Sequence, residues 1–157
     1  MRLHSEATDE PLLAIPKPAG WTFSTRENSS LVRGALSKPS LEASGFTPSF
    51  VVALANVTGD ASTPEQALDT ERAGRAQKVK IDNDEPGTQC GYPSRTLTYT
   101  YEGRASTTLM IAAEDELQNI WISTVDTQTI EPNNPEYLAA KRTILDGFQF
   151  SLPNNNQ

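Results

Sequence analysis

Few side chains in this sequence could carry nucleophilic or acid–base chemistry. The sole histidine, His4, lies in a polar stretch near the amino end, and the sole cysteine, Cys90, lies mid-chain. A serine or cysteine nucleophile needs a base held rigidly beside it, and a histidine in a loose arm does not supply one. The chain also lacks a Gly-x-Ser-x-Gly elbow, a Walker loop and a Gly-x-Gly-x-x-Gly turn, the usual marks of hydrolases and nucleotide binders. Carboxylates cluster at Asp82, Asp84 and Glu85, and again at Glu114, Asp115 and Glu116. Paired acids can hydrolyse glycosides when a cleft fixes their separation, but both runs read more simply as solvated turns. Asp82-Asn83-Asp84 lacks the loop and terminal bidentate acid of a calcium hand. The expectation is a chain with no catalytic residues, no metal site and no cofactor, and so not an enzyme.

Binding chemistry is better represented. Trp21, Tyr99, Tyr101, Trp121 and Tyr137 combine apolar rings with polar tips, the composition of a groove for an amphipathic ligand. Ala140 marks a place where a bulky residue would intrude on such a groove. The competing reading is that these residues, with Phe23, build the core.

The formal charge of -7 and the dispersal of 13 lysines and arginines disfavour nucleic acid as a partner, because a phosphate backbone demands a basic stripe. The longest apolar run, Phe50 to Ala55, is far short of the roughly 20 residues that cross a bilayer, so no transmembrane segment is expected. Met1 to Pro11 lacks the charged-then-apolar order of a signal peptide. Any export signal or lipid anchor is expected in a segment absent here. A single cysteine forms no intrachain disulfide and leaves the redox compartment open.

The elements that must position these side chains follow from pattern. Residues 1–11 are polar and aperiodic and read as a flexible arm, 12–152 as one domain, and 153–157 as a flexible tail. Leu12 to Ile15 and Leu31 to Leu36 read as short strands. Phe50 to Val57, apolar on both faces, reads as a central strand. Thr63-Pro64-Glu65-Gln66 carries an N-cap hydroxyl, a proline at the first helical position and a capping-box glutamine, which predicts a helix from Pro64 to about Ala76. Lys78 to Asp82 alternates charged and apolar residues, as an edge strand does. Leu97 to Tyr101, Thr107 to Ile111 and Ile120 to Val125 alternate as an antiparallel meander, with Glu102-Gly103 as a two-residue turn. Asn134-Pro135 opens a last helix, with Leu138, Ile144 and Leu145 facing the sheet and Gly147 closing it. Phe148 to Leu152 returns as a strand. Runs of strands with few helices imply an α+β fold, an antiparallel β-sheet with helices packed on it.

The order of motifs resembles the LpqN/LpqT family of mycobacterial and other actinobacterial lipoproteins. The matching pieces are Ile15-Pro16-Lys17-Pro18-Ala19-Gly20-Trp21, Phe46-Thr47-Pro48-Ser49-Phe50-Val51-Val52, Asn56-Val57-Thr58-Gly59-Asp60, Gly91-Tyr92-Pro93-Ser94 and Ile120-Trp121-Ile122-Ser123-Thr124. The resemblance covers about Leu12 to Phe150 and implies a Mog1/PsbP-like fold. It also implies residence in the cell envelope or outside the cell, by export and possible lipid anchoring. Cys90 lies too deep in the domain to be an anchoring cysteine. The family brings no catalytic motif to transfer. The resulting expectation is a non-catalytic envelope domain that binds a lipid or glycolipid, or an envelope membrane-protein partner. The alternatives are a structural or secreted scaffold without a small ligand and a small acid-dependent hydrolase. An acyl chain, if held, is expected between a helix and the meander, near Ala140.

Overall fold

Both helices begin where their capping residues place them. In α1 (Pro64–Ala76) the Thr63 hydroxyl accepts the Gln66 backbone N–H at 3.1 Å, and Gln66 reaches back to the Ser62 N–H at 2.6 Å. In α2 (Pro135–Gly147) the Asn134 side chain accepts from the N–H groups of Glu136 and Tyr137 at 2.9 and 3.2 Å. These bonds satisfy donors that the first turn leaves open, and each proline occupies a position where its missing N–H costs nothing.

The computed structural model describes residues 1–153. Around the helices the strands are β1 (Leu12–Ala14), β2 (Thr22–Ser24), β3 (Val32–Ser37), β4 (Ser49–Asn56), β5 (Ile81–Gln89), β6 (Tyr92–Tyr101), β7 (Arg104–Glu114), β8 (Ile120–Thr129) and β9 (Gln149–Ser151). Seven of them form one antiparallel sheet in the order β2-β3-β4-β8-β7-β6-β5, while β1 and β9 pair separately. This is the expected α+β arrangement.

Alternation along the strands divides the interior in two. Phe50, Val52 and Leu54 of β4, Leu109 and Ile111 of β7, and Trp121 and Val125 of β8 face α2 and pack with Tyr137, Ala140 and Ile144. Leu97 and Tyr99 of β6, Met110 and Ala112 of β7, and Ile120 and Ile122 of β8 face α1 and pack with Ala67 and Leu68. Each helix therefore covers its own face of the sheet. Trp21 and Trp121 are buried, at 3% and 7% exposure.

Several expectations are corrected. The arm predicted over residues 1–11 is tied down at Met1, Leu3 and Glu10. The Leu3 N–H bonds the Leu13 carbonyl at 2.9 Å, the Ile15 N–H bonds that of Met1 at 2.8 Å, and the Leu3 side chain joins the core. Glu10 forms a buried ion pair with Arg33. A single leucine in a polar stretch has no periodicity, which is why the pattern gave no sign of it. The predicted tail lies, beyond Pro153, outside the described residues.

The edge strand is also longer and later than Lys78 to Asp82. β5 runs through Asp82, Asp84, Glu85 and Pro86, so the first acidic run is strand and not turn. An edge strand tolerates proline because one side of its backbone makes no ladder bonds, and Asp84 is drawn to Arg72 at 2.6 Å and Arg95 at 3.5 Å. The hairpin into β6 turns at Cys90-Gly91, with φ of 56° and 86°, the left-handed pair a two-residue turn requires. Glu102-Gly103 does the same as expected, with φ of 51° and 78°.

On α2, Leu138 is 42% exposed, and the buried positions are Tyr137, Ala140 and Ile144. Gly147 is the last residue of the helix and not a cap beyond it. Its role is close approach, since a Cβ there would stand 2.7 Å from Cγ of Pro16.

Candidate ligand cleft

The described structure has an open cleft of about 530 Å3 at the carboxyl end of α1, lined by Glu71, Arg75, Lys78, Val79, Tyr101 and Gln128 among others. Strand alternation places its parts. Tyr99 and Tyr101 stand two residues apart on β6, and Asp126 and Gln128 two apart on β8, so all four share the α1 face. Thr108 on β7 lies directly opposite Asp126 in the register. Arg75 enters from the last turn of α1.

Arg75 organises the cleft floor. Its two terminal nitrogens grip the Asp126 carboxylate at 2.7 and 3.2 Å, and Nε donates to Glu71 at 2.9 Å. Nη1 also reaches the Thr108 hydroxyl at 3.0 Å and the Tyr99 hydroxyl at 3.3 Å. Thr108 and Tyr99 are themselves 3.0 Å apart, and the Thr108 hydroxyl donates to Asp126. Burial alone would lower the pKa of Arg75. The hydrogen bonds and charges of Asp126 and Glu71 outweigh it and raise the value, so the guanidinium stays charged. A forked guanidinium on a carboxylate is rigid as well as strong, and Arg75 uses the carboxylates of both Asp126 and Glu71 as acceptors.

The rim is different in kind. The side chains of Gln77, Lys78 and Gln128 and the Tyr101 hydroxyl line the cleft without a hydrogen-bond partner among the described residues. Tyr101 is 39% exposed, and Val79 supplies an apolar side. The cleft therefore offers an exposed aromatic face, an aliphatic patch and several open polar groups over a fixed, charge-paired floor.

Of the aromatic candidates, the structure brings only Tyr99 and Tyr101 to this cleft. Trp21, Trp121, Tyr137 and Ala140 lie on the opposite side of the sheet, each 7% exposed or less. Trp21 meets Phe50 edge-on, and Phe50 stacks with Tyr137 at 6.0 Å. The Tyr137 hydroxyl pairs with Thr127 at 2.8 Å, and burial pushes its pKa up. The Trp121 indole donates to Asp115 at 3.1 Å. Ala140 is buried in the same core cluster, so the six do not form one groove.

Arg75, Lys78, Val79 and Gln128 escaped the sequence reading. One signal was available. Arg75 falls seven residues after buried Leu68, on the same helical stripe, and Asp126 has the inward parity of Ile120 and Ile122. A charge on each of two facing apolar stripes marks a pair.

The remaining chemical candidates are dispersed. Asp115 is occupied by the N–H groups of Leu117 and Asn119, at 2.9 and 2.8 Å, besides Trp121. His4 is exposed beside Glu6. Cys90 sits at a hairpin tip, where its Sγ accepts the Phe150 N–H at 3.4 Å. Among the described residues no group of three or more His, Cys, Asp or Glu side chains is placed to hold a metal ion. No helix among them is long and apolar enough to cross a membrane.

No family model matches the chain. No curated protein matches it either. Solved structures do. LpqN of Mycobacterium tuberculosis, described as involved in cell envelope biogenesis, superposes with a TM-score of 0.73 over 96% of this chain and 90% of its own, at 16% identity. A structure from Bacteroides thetaiotaomicron covers 96% of this chain and 51% of its own, with a TM-score of 0.52 and 11% identity. The fold anticipated from the order of sequence motifs is the fold found: the chain has the architecture of LpqN.

Proposed function

We propose that the chain is a non-catalytic cell-envelope domain of the LpqN type that binds the polar head of an amphipathic lipid or glycolipid in the Arg75–Tyr101 cleft. The observation that carries this reading is the cleft rim, where the exposed ring of Tyr101 and the side chain of Val79 adjoin open polar groups of Gln77, Lys78 and Gln128. An aromatic face suits the apolar side of a sugar ring or the start of an acyl chain, and amides and an ammonium suit hydroxyls or a phosphate. The carboxylates Glu71 and Asp126, which a hydrolase would need free, are both engaged by Arg75. The likeness to a protein of envelope biogenesis supports the compartment.

Native mass spectrometry of the protein purified from a mycobacterial host tests the proposal. The expected result is a bound amphiphile on the parent protein that is lost from Tyr101→Ala at equal folding. Protein free of any adduct, or the same adduct on both, would overturn it.

A further inference from the structure

Resting on that reading of the cleft, we infer that Arg104 and Phe46 are positioning residues that brace Tyr101 as the cleft wall and thereby set its affinity. Phe46 is delivered by a tight turn. Ala43 and Phe46 exchange backbone hydrogen bonds at 3.0 and 2.9 Å, and Ser44 and Gly45 between them have φ of 50° and 77°. The Arg104 guanidinium lies 4.4 Å from the centroid of the Phe46 ring and 5.7 Å from that of Tyr101. A cation is thus held between two rings, and its other restraint is the exposed Glu102, to which Nη2 donates at 3.1 Å.

Arg104 gives something up in this position. Its Nε is buried with no hydrogen-bond partner, a state that native proteins keep scarce because the lost solvation is not recovered. A side chain serving only solubility or a surface ion pair would turn that group toward water. Lying against two rings, it instead gains cation–π attraction and covers one side of Tyr101, leaving the other for the cleft. A ring already fixed in its bound orientation loses less freedom when a ligand lies on it. The brace runs from the β3–β4 connection through Arg104 to Tyr101, so it couples a loop that does not line the cleft to the affinity of the cleft.

The test titrates n-decyl β-glucoside, below its micelle concentration, into the parent and four variants by calorimetry, with melting temperatures measured alongside. Tyr101→Ala is expected to abolish heat of binding. Arg104→Gln and Phe46→Leu are each expected to weaken binding about fivefold, the size of a modest cation–π contact. Arg104→Lys, which keeps a cation at the rings, is expected to recover most of that loss. If Tyr101→Ala abolishes binding while Arg104→Gln and Phe46→Leu retain the parent affinity, the brace is wrong and the cleft stands. If Arg104→Lys binds no better than Arg104→Gln, the role assigned to the cation is wrong. If Tyr101→Ala binds like the parent, the cleft reading itself fails.

Discussion

Arg75 and Asp126, 51 residues apart in the chain, meet in a two-pronged ion pair at 2.7 and 3.2 Å that ties the end of α1 to the middle of the sheet. Asp126 is one-third exposed, so solvent screens the pair, and its net worth is well below that of a fully buried one. A double-mutant cycle with Arg75→Ala and Asp126→Ala, read by urea unfolding, is expected to give a coupling of about 1 kcal/mol. Additive single effects would show that the contact contributes nothing.

Asp115 should govern stability in acid. Burial pushes its pKa up, but hydrogen bonds from the Asn119 backbone, the Trp121 indole, the Asn119 side chain and the Leu117 backbone outweigh burial and lower it. A lowered folded pKa means that the stabilisation is complete above the unfolded aspartate value of about 3.9 and is lost as pH falls through the folded one. Urea midpoints of the parent should therefore fall more steeply below about pH 4 than those of Asp115→Asn. Parallel curves would refute the assignment.

The face of α2 is testable by contrast. Ile144 is fully buried and Leu138 is 42% exposed, so Ile144→Ala should cost about 2–5 kcal/mol and Leu138→Ala less than about 0.5 kcal/mol. Chemical denaturation of the two variants gives both numbers, and equal losses would contradict the observed helix rotation.

Gly147 should resist substitution although alanine is the better helix former. A methyl there would stand 2.7 Å from the Pro16 ring, which has little freedom to move, so Gly147→Ala is expected to destabilise by about 1–3 kcal/mol. An unchanged or raised melting temperature would show that the segment before Trp21 yields easily.

What was legible in the sequence was whatever a local rule encodes. Thr63-Pro64 and Asn134-Pro135 announced helix starts, Glu102-Gly103 announced a turn, and alternation at Leu97 to Tyr101 announced a strand and its faces. The placement of the cleft depended on long-range pairing. Tyr101 and Trp121 have similar aromatic character, yet β6 and β8, on either side of β7, present them on opposite faces, and only the register β6-β7-β8 decides which ring meets Arg75. β5 was misjudged because a strand at an edge can carry Asp82, Glu85 and Pro86 toward solvent, a composition that reads locally as a turn. Leu138 was misjudged because a broad helical stripe leaves about one position of rotational freedom, which packing against Phe50 through Tyr137 resolves.

The claim that the cleft holds an amphiphile is tested most directly by methyl-labelled valine NMR during a titration with n-decyl β-glucoside. Val79 lines the cleft, whereas Val52 and Val125 are buried on the α2 side. The predicted result is a saturable shift of the Val79 methyls with Val52 and Val125 unmoved. Saturable shifts at Val52 or Val125 with Val79 silent would place the ligand beneath α2 and contradict the account.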